Sequence, residues 1–215
     1  MQMKKKEQQD GLQIKAPNIK RAKFKIKGTA PYVQLRFAEK AIKAMADKMM
    51  AGSASKKGKA REPRDFEDDF RQAQHISHDG WNGMPAAAFR GAMVSACRLV
   101  GFKMTIAKLS VFVHHDGLDR VDDTPLIKII GKPEKLMMHT RNATGVCDLR
   151  VRAKFNPWKA EVPMSYDADQ FSLQDVTNLM HRVGAQVGIG EGRPDSKNST
   201  GMGWGTFEID SVKHG

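Results

Sequence analysis

Cysteine, aromatic residues and long apolar runs are all scarce in this chain of 215 residues. Its two cysteines, Cys97 and Cys147, are too few for a disulfide framework or a cysteine-based zinc site. Aromatic side chains make up only 7% of the residues, and no uninterrupted apolar run is long enough to span a bilayer as a helix. The lysine-rich start lacks the apolar segment of a secretion signal, so a cytoplasmic protein is expected. What is present suits a globular chain: 40% hydrophobic and 28% charged residues. A chain of this length buries roughly 70% of the surface it would expose unfolded, enough to fold without staples.

The net charge of +12 is unevenly placed. Residues 1–64 hold 18 Lys and Arg against 5 Asp and Glu, whereas the remaining residues hold 18 against 19. A basic excess confined to one third of a chain points to a polyanionic partner. No basic amphipathic helix with bulky aromatic anchors and no lipidation motif accompanies it, so a membrane partner is not expected.

Residues 1–18 read as a flexible basic arm, with Lys4, Lys5 and Lys6 clustered and too little apolar content to pack. From Arg21 to Gly28 the chain alternates strictly, putting Ala22, Phe24 and Ile26 on one face of a strand and Lys23, Lys25 and Lys27 on the other. Ammonium groups on alternate residues stand about 6–7 Å apart, near the phosphate spacing of an extended nucleic-acid strand. A helical stretch, Ala38–Met50, precedes a basic loop, Gly52–Arg64, which carries Lys56, Lys57, Lys59, Arg61 and Arg64. Together with the acidic segment that follows, these form an insertion at about 38–80 within one domain spanning 19–215. Pro85–Val100 is expected as a helix rich in small residues and ended by Gly101. Strands are expected at Leu109–His115, Pro125–Gly131, Val146–Phe155 and Trp158–Tyr166, the last two as a hairpin across Asn156 and Pro157. A helix over Leu173–Gly184 capped by Ser172, a glycine-rich loop Gly188–Gly205 and a strand Thr206–Val212 complete the chain. This order predicts an α+β fold, an antiparallel sheet with helices on one face.

Several chemical motifs fail on context. The GSASKKGKA stretch has the wrong glycine spacing for a phosphate-binding Walker loop, and Ala60 stands where a magnesium-binding hydroxyl is required. Gly188, Gly190 and Gly192 follow a helix and precede a strand, the reverse of a dinucleotide fingerprint. His114, His115 and Asp116, like His75, His78 and Asp79, lack a metal-ligand spacing, and no nucleophile elbow occurs. The glycine-dense loop instead offers backbone amides, the charge of Arg193 and the ring of Trp204 to a phosphate–sugar backbone. Trp81, Trp158 and Trp204 all lie near turns, where core packing and exposed stacking are both available.

Two segments together resemble the RAMP superfamily, whose RRM-like members form the backbone of CRISPR effector complexes. Met84–Met93 looks like that family's Pro-small-small turn opening a helix with a basic residue and a glycine. Gly188–Phe207 looks like its C-terminal glycine-rich loop before the last strand. The resemblance follows the element order from about Arg21 to Val212 and implies a ferredoxin-like sheet, with Arg90 and Arg193 near an RNA backbone. The chain departs from the pattern in the long segment between first strand and first helix and in the Asp195–Thr200 spacer. No aspartate aligns with the one by which some relatives cut RNA.

The expected function is therefore non-catalytic binding of single-stranded nucleic acid, RNA first, by subunits assembling side by side along the strand or as part of an effector complex. The expected contacts are Lys23, Lys25, Lys27, Lys56, Lys57, Lys59, Arg61, Arg64, Arg90, Gly190, Gly192, Arg193 and Trp204, with no cofactor and no metal. Three alternatives stay open: a phage single-stranded DNA binder, a metal-dependent ribonuclease using Asp122 and Asp123, and an interaction module docking on an acidic partner or host complex.

Overall fold

The computed structural model describes residues 14–37, 39–50, 63–141, 145, 147–196 and 201–214. Lys4, Lys5 and Lys6 of the arm and Lys56, Lys57, Lys59 and Arg61 of the basic loop lie outside the described residues.

Strict alternation makes β1 (Ile19–Gly28) the organising strand: Ala22, Phe24 and Ile26 are buried while the intervening lysines face out. Full burial of a Phe or Ile contributes about 1.5–3 kcal/mol each, so the register of this strand is strongly specified. It lies between β10 (Lys159–Asp167) and β11 (Phe207–His214), antiparallel to both. From β10 the sheet continues through β7 (Pro125–Ile130) and β4 (Asn82–Pro85) to β3 (His75–Ile76). Two short strands, β5 (Val111–Val113) on β10 and β6 (Gly117–Leu118) on β7, complete it. Every pairing among the described residues is antiparallel, and from the edge strand β11 the order runs β11-β1-β10-β7.

Two helices cover the face that carries Phe24, Ile26, Val162 and Met164. The first, α3 (Ala86–Ala96), buries Phe89 and Met93, continues as a 3-10 turn over Cys97–Val100 and stops at Gly101 in the left-handed region. The second, α5 (Leu173–Arg182), starts at a capping box in which Ser172 and Asp175 bind each other's backbone, and it buries Val176 and Met180. An extra π-helical turn, Val183–Val187, carries its end toward the glycine-rich loop. The remaining helices among the described residues are α1 (Glu39–Met50), α2 (Phe66–Gln72) and α4 (Met104–Ser110). The α+β class expected from the element order is the one observed.

A second sheet corrects one expectation. Strand β9 (Cys147–Phe155) does not form a hairpin with β10; it pairs with β8 (Pro133–Arg141) along its whole length and with β2 (Tyr32–Gln34) at its end. The chain changes sheets between Phe155 and Lys159, because both flanks of β10 are already filled by β1 and by β5 with β7. The strand expected over Leu109–His115 is also shorter: Leu109 and Ser110 close α4, with Ser110 Oγ bonded back to the Ile106 carbonyl.

Candidate nucleic-acid interface

The segment Met84–Met93 passes without a loop from β4 into α3. Pro85 sits at the N-cap and supplies no side-chain bond to the first turn, which holds no acidic residue. Ala86, Phe89 and Ala92 face the core, leaving Ala88, Gly91 and Ser95 along an outer stripe. A Cβ on Gly91 would meet open space, so no packing contact requires a glycine there.

The glycine-rich loop comes to the same place and is tightly packed over its described part. Gly190, at φ +77°, lies against β2: a Cβ there would stand 2.5 Å from the Tyr32 ring and 2.6 Å from the Val33 carbonyl oxygen. Gly192 lies under Trp204, whose Cε3 would be 2.4 Å from such a Cβ. Backbone bonds fix both sides: Glu191 N–H donates to the Val33 carbonyl at 2.8 Å and Trp204 N–H to the Gly192 carbonyl at 3.2 Å. Trp204 is thus half-buried as a cover for the loop's own backbone.

The two segments meet in a cleft of about 590 Å³, whose walls include Ala88, Gly91 and Ser95 of α3, Gly190, Glu191, Arg193 and Asp195 of the loop, and Gln34 and His75. Its carboxylates are held by basic groups. Arg152 of β9, only 6% exposed, donates Nε and Nη2 to the two oxygens of Glu191, both at 2.7 Å. Asp195 accepts from Ser95 Oγ and from Arg98 Nη2; the Ser95 bond first, then Arg98, holds its carboxyl below the usual carboxylate range. Arg193 Nη1 donates to the Gly190 carbonyl at 3.0 Å. At the far wall His75 Nδ1 lies 2.8 Å from the fully buried Asp119 carboxylate, which also accepts from Val121 N–H.

The lysine row of β1 is on the opposite side, on the sheet face turned away from α3 and α5. Register places Lys159, Glu161 and Pro163 of β10 beside Lys27, Lys25 and Lys23, and Lys213 of β11 beside Lys23. The row is partly neutralised: Glu161 takes Lys25 at 3.0 Å and Lys23 at 3.5 Å, and Glu208 takes Lys27 at 3.8 Å. The Lys25 bond is the main reason that the Glu161 carboxyl ionises below its ordinary range. These lysines keep between 37% and 53% of their side-chain surface open, so phosphates have access to them.

Two expected contacts are engaged within the protein. Arg90 donates to the Val111 and Lys108 carbonyls and lies 5.6 Å from the centroid of the Phe112 ring, tying α3 to the end of α4. Arg64 donates to Asp69, Asp148 and the Leu149 carbonyl, joining α2 to β9. Gly190, Gly192, Arg193 and Trp204 therefore gather at the cleft, Lys23, Lys25 and Lys27 at the open sheet face, and Arg64 and Arg90 stand apart from both. The sequence reading missed Lys128, Lys159 and Lys213 on the open face. Their signal was present in the period-two alternation of Lys128 with Ile127 and Ile129 and of Lys159 with Ala160. The pairs Arg152–Glu191 and His75–Asp119 left no local signal, since their members come from distant segments.

Asp122 and Asp123 are engaged by different partners. Asp122 accepts from Thr124 N–H, and Asp123 turns to His78 Nε2 at 2.9 Å. Among the described residues no group of three or more His, Cys, Asp or Glu could hold a metal ion, and no helix is long and apolar enough to cross a membrane.

No protein-family model and no curated protein sequence matches this chain. Its fold is similar to that of a chain in the cryo-EM structure of the type III-B Cmr-beta bound to cognate target RNA, with a TM-score of 0.51 and 11% sequence identity. The match covers 92% of this chain and 61% of that one, so this chain spans about three fifths of its neighbour.

Proposed function

We propose that this protein binds single-stranded nucleic acid, RNA in the first place, without cutting it, and that several copies assemble along one strand. The observation that carries this reading is the meeting of the α3 segment Met84–Met93 with the glycine-rich loop in one cleft. These are the two segments by which the sequence resembles the RAMP superfamily. The strand order β11-β1-β10-β7, with α3 and α5 on one face, supports a ferredoxin-like core of that kind. The neighbour in an RNA-bound effector assembly supports the same reading at the level of fold.

In this account Arg193, Gly190 and Gly192 bring charge and close-lying backbone to a strand in the cleft, and Lys23, Lys25 and Lys27 supply sequence-independent phosphate contacts. The basic loop lysines outside the described residues, Lys56, Lys57 and Lys59 with Arg61, add to the same field. Size exclusion with mass measurement, before and after ribonuclease and deoxyribonuclease, tests the reading. A large assembly that ribonuclease reduces to monomers supports it. Sensitivity to deoxyribonuclease alone transfers it to single-stranded DNA. A nucleic-acid-free monomer that also ignores added RNA and DNA oligonucleotides overturns it.

A further inference from the structure

The open sheet face carries an aromatic ring whose setting the cleft does not explain. Trp81 enters β4 from the turn His78–Gly80 and is anchored there by reciprocal bonds with Ser77: its N–H donates to Ser77 Oγ at 3.2 Å and its carbonyl accepts from Ser77 N–H at 2.9 Å. The benzo edge of the indole is set against two glycines from different strands. A Cβ on Gly117 of β6 would stand 2.7 Å from Cζ2 of the ring, and one on Gly83 of β4 would stand 3.1 Å from Cζ3. Both glycines belong to the open face, because Gly117 pairs with Leu126 and Gly83 with Lys128, and these two alternate with the core residues Ile127 and Ile129. The edge of the ring is thus seated on backbone, with Leu126 beside it against Gly83, and Leu126 is fully buried although it points away from the helices. The ring also borders a hollow of about 320 Å³, whose remaining walls are Asp116, Lys128, Ile130 and Glu161.

We propose that Trp81 is a stacking platform for an unpaired nucleobase of a strand lying across the open sheet face. The inference rests on the nucleic-acid reading above and adds to it a site outside the cleft. A ring held by its edge against glycines is rigid at little entropic cost, and every base presents a π-face to it. Charge complementarity selects the occupant. Lys128 Nζ stands 6.0 Å from the ring centroid, and Glu161 on the rim is the carboxylate already shared by Lys23 and Lys25, so the hollow adjoins the lysine row. A strand whose phosphates follow that row brings its bases to the ring.

The test uses the whole protein labelled with fluorotryptophan and a short single-stranded RNA, read by fluorine NMR and, in parallel, by fluorescence anisotropy of the labelled RNA. The three tryptophan resonances are assigned with W81F and W204F. The Trp81 resonance is expected to shift with RNA while that of Trp158, 1% exposed, stays in place. W81L keeps an apolar side chain beside Leu126 but removes the ring, and it should lower affinity about ten-fold, the scale of one base–aromatic stack, whereas W81F should retain most of it. If RNA binds by anisotropy while the Trp81 resonance stays still, the platform is wrong and the nucleic-acid reading stands. If RNA does not bind at all, both fall.

Discussion

Arg152 and Glu191 tie the small sheet to the glycine-rich loop through two parallel hydrogen bonds of 2.7 Å. The arginine is almost fully buried on β9, while the glutamate keeps 34% of its side chain exposed. Removing the glutamate strands a buried guanidinium, whose desolvation is then uncompensated. E191A should therefore destabilise the fold by about 2 kcal/mol, less than for a fully enclosed pair because water still reaches the loop side. Urea unfolding measures it; a loss within about 0.5 kcal/mol would show that the pair is not structural.

Gly190 lies in the cleft directly against β2. G190A combines a positive φ with overlap onto the Tyr32 ring and the Val33 carbonyl, neither of which is the free end of a flexible side chain. A loss of about 2 kcal/mol or more is expected. G91A, by contrast, adds a Cβ in open space within a helix and should be neutral or stabilising by up to about 1 kcal/mol. Thermal unfolding of the two variants should separate them clearly; equal melting temperatures would contradict the packing described for the loop.

Glu161 restrains two lysines of the β1 row. Replacing it by glutamine keeps the shape and releases Lys23 and Lys25 to phosphate, so E161Q should bind single-stranded RNA more tightly, by about two- to five-fold at low salt. The combined K23A/K25A variant should bind more weakly than the parent. Anisotropy titrations decide the point, and unchanged binding by both E161Q and K23A/K25A would place the strand away from this face.

Asp195 links the loop to α3 and ionises more readily than a free aspartate, chiefly through Ser95 and then Arg98. A carboxyl with a lowered folded value contributes stability above its unfolded value, and this is lost as pH falls through the folded value. Stability should accordingly decline in acid, and D195N should flatten that decline while costing stability at neutral pH. Urea midpoints from neutral pH downward test it; an unchanged acid limb in D195N would remove Asp195 from the account.

The parts of the fold legible in the sequence were those with strong periodicity or explicit punctuation. Alternation located β1, the cap Ser172 located the start of α5, and Gly101 marked the end of α3's 3-10 extension. The β9–β10 hairpin was misread because Asn156 and Pro157 look like a turn from either side, whereas partner choice depends on which flank of β10 is free. β8 was not anticipated, since Pro133–Arg141 mixes charged residues with methionines and is defined by its pairing with β9. Of the candidate site, Arg193 and the glycines were readable from composition. The seat of Trp81 was not, because it needs Gly83 and Gly117 on separate strands to arrive against the edge of one ring.

Affinity for a short single-stranded RNA, measured by anisotropy from low to moderate salt, addresses the central claim most directly. Binding is expected to weaken linearly on a log–log scale, with a slope of roughly −0.7 for each phosphate neutralised and several phosphates engaged. Absence of binding at low salt, or an affinity indifferent to salt, would contradict a nucleic-acid interface built on the lysine row and the glycine-rich cleft.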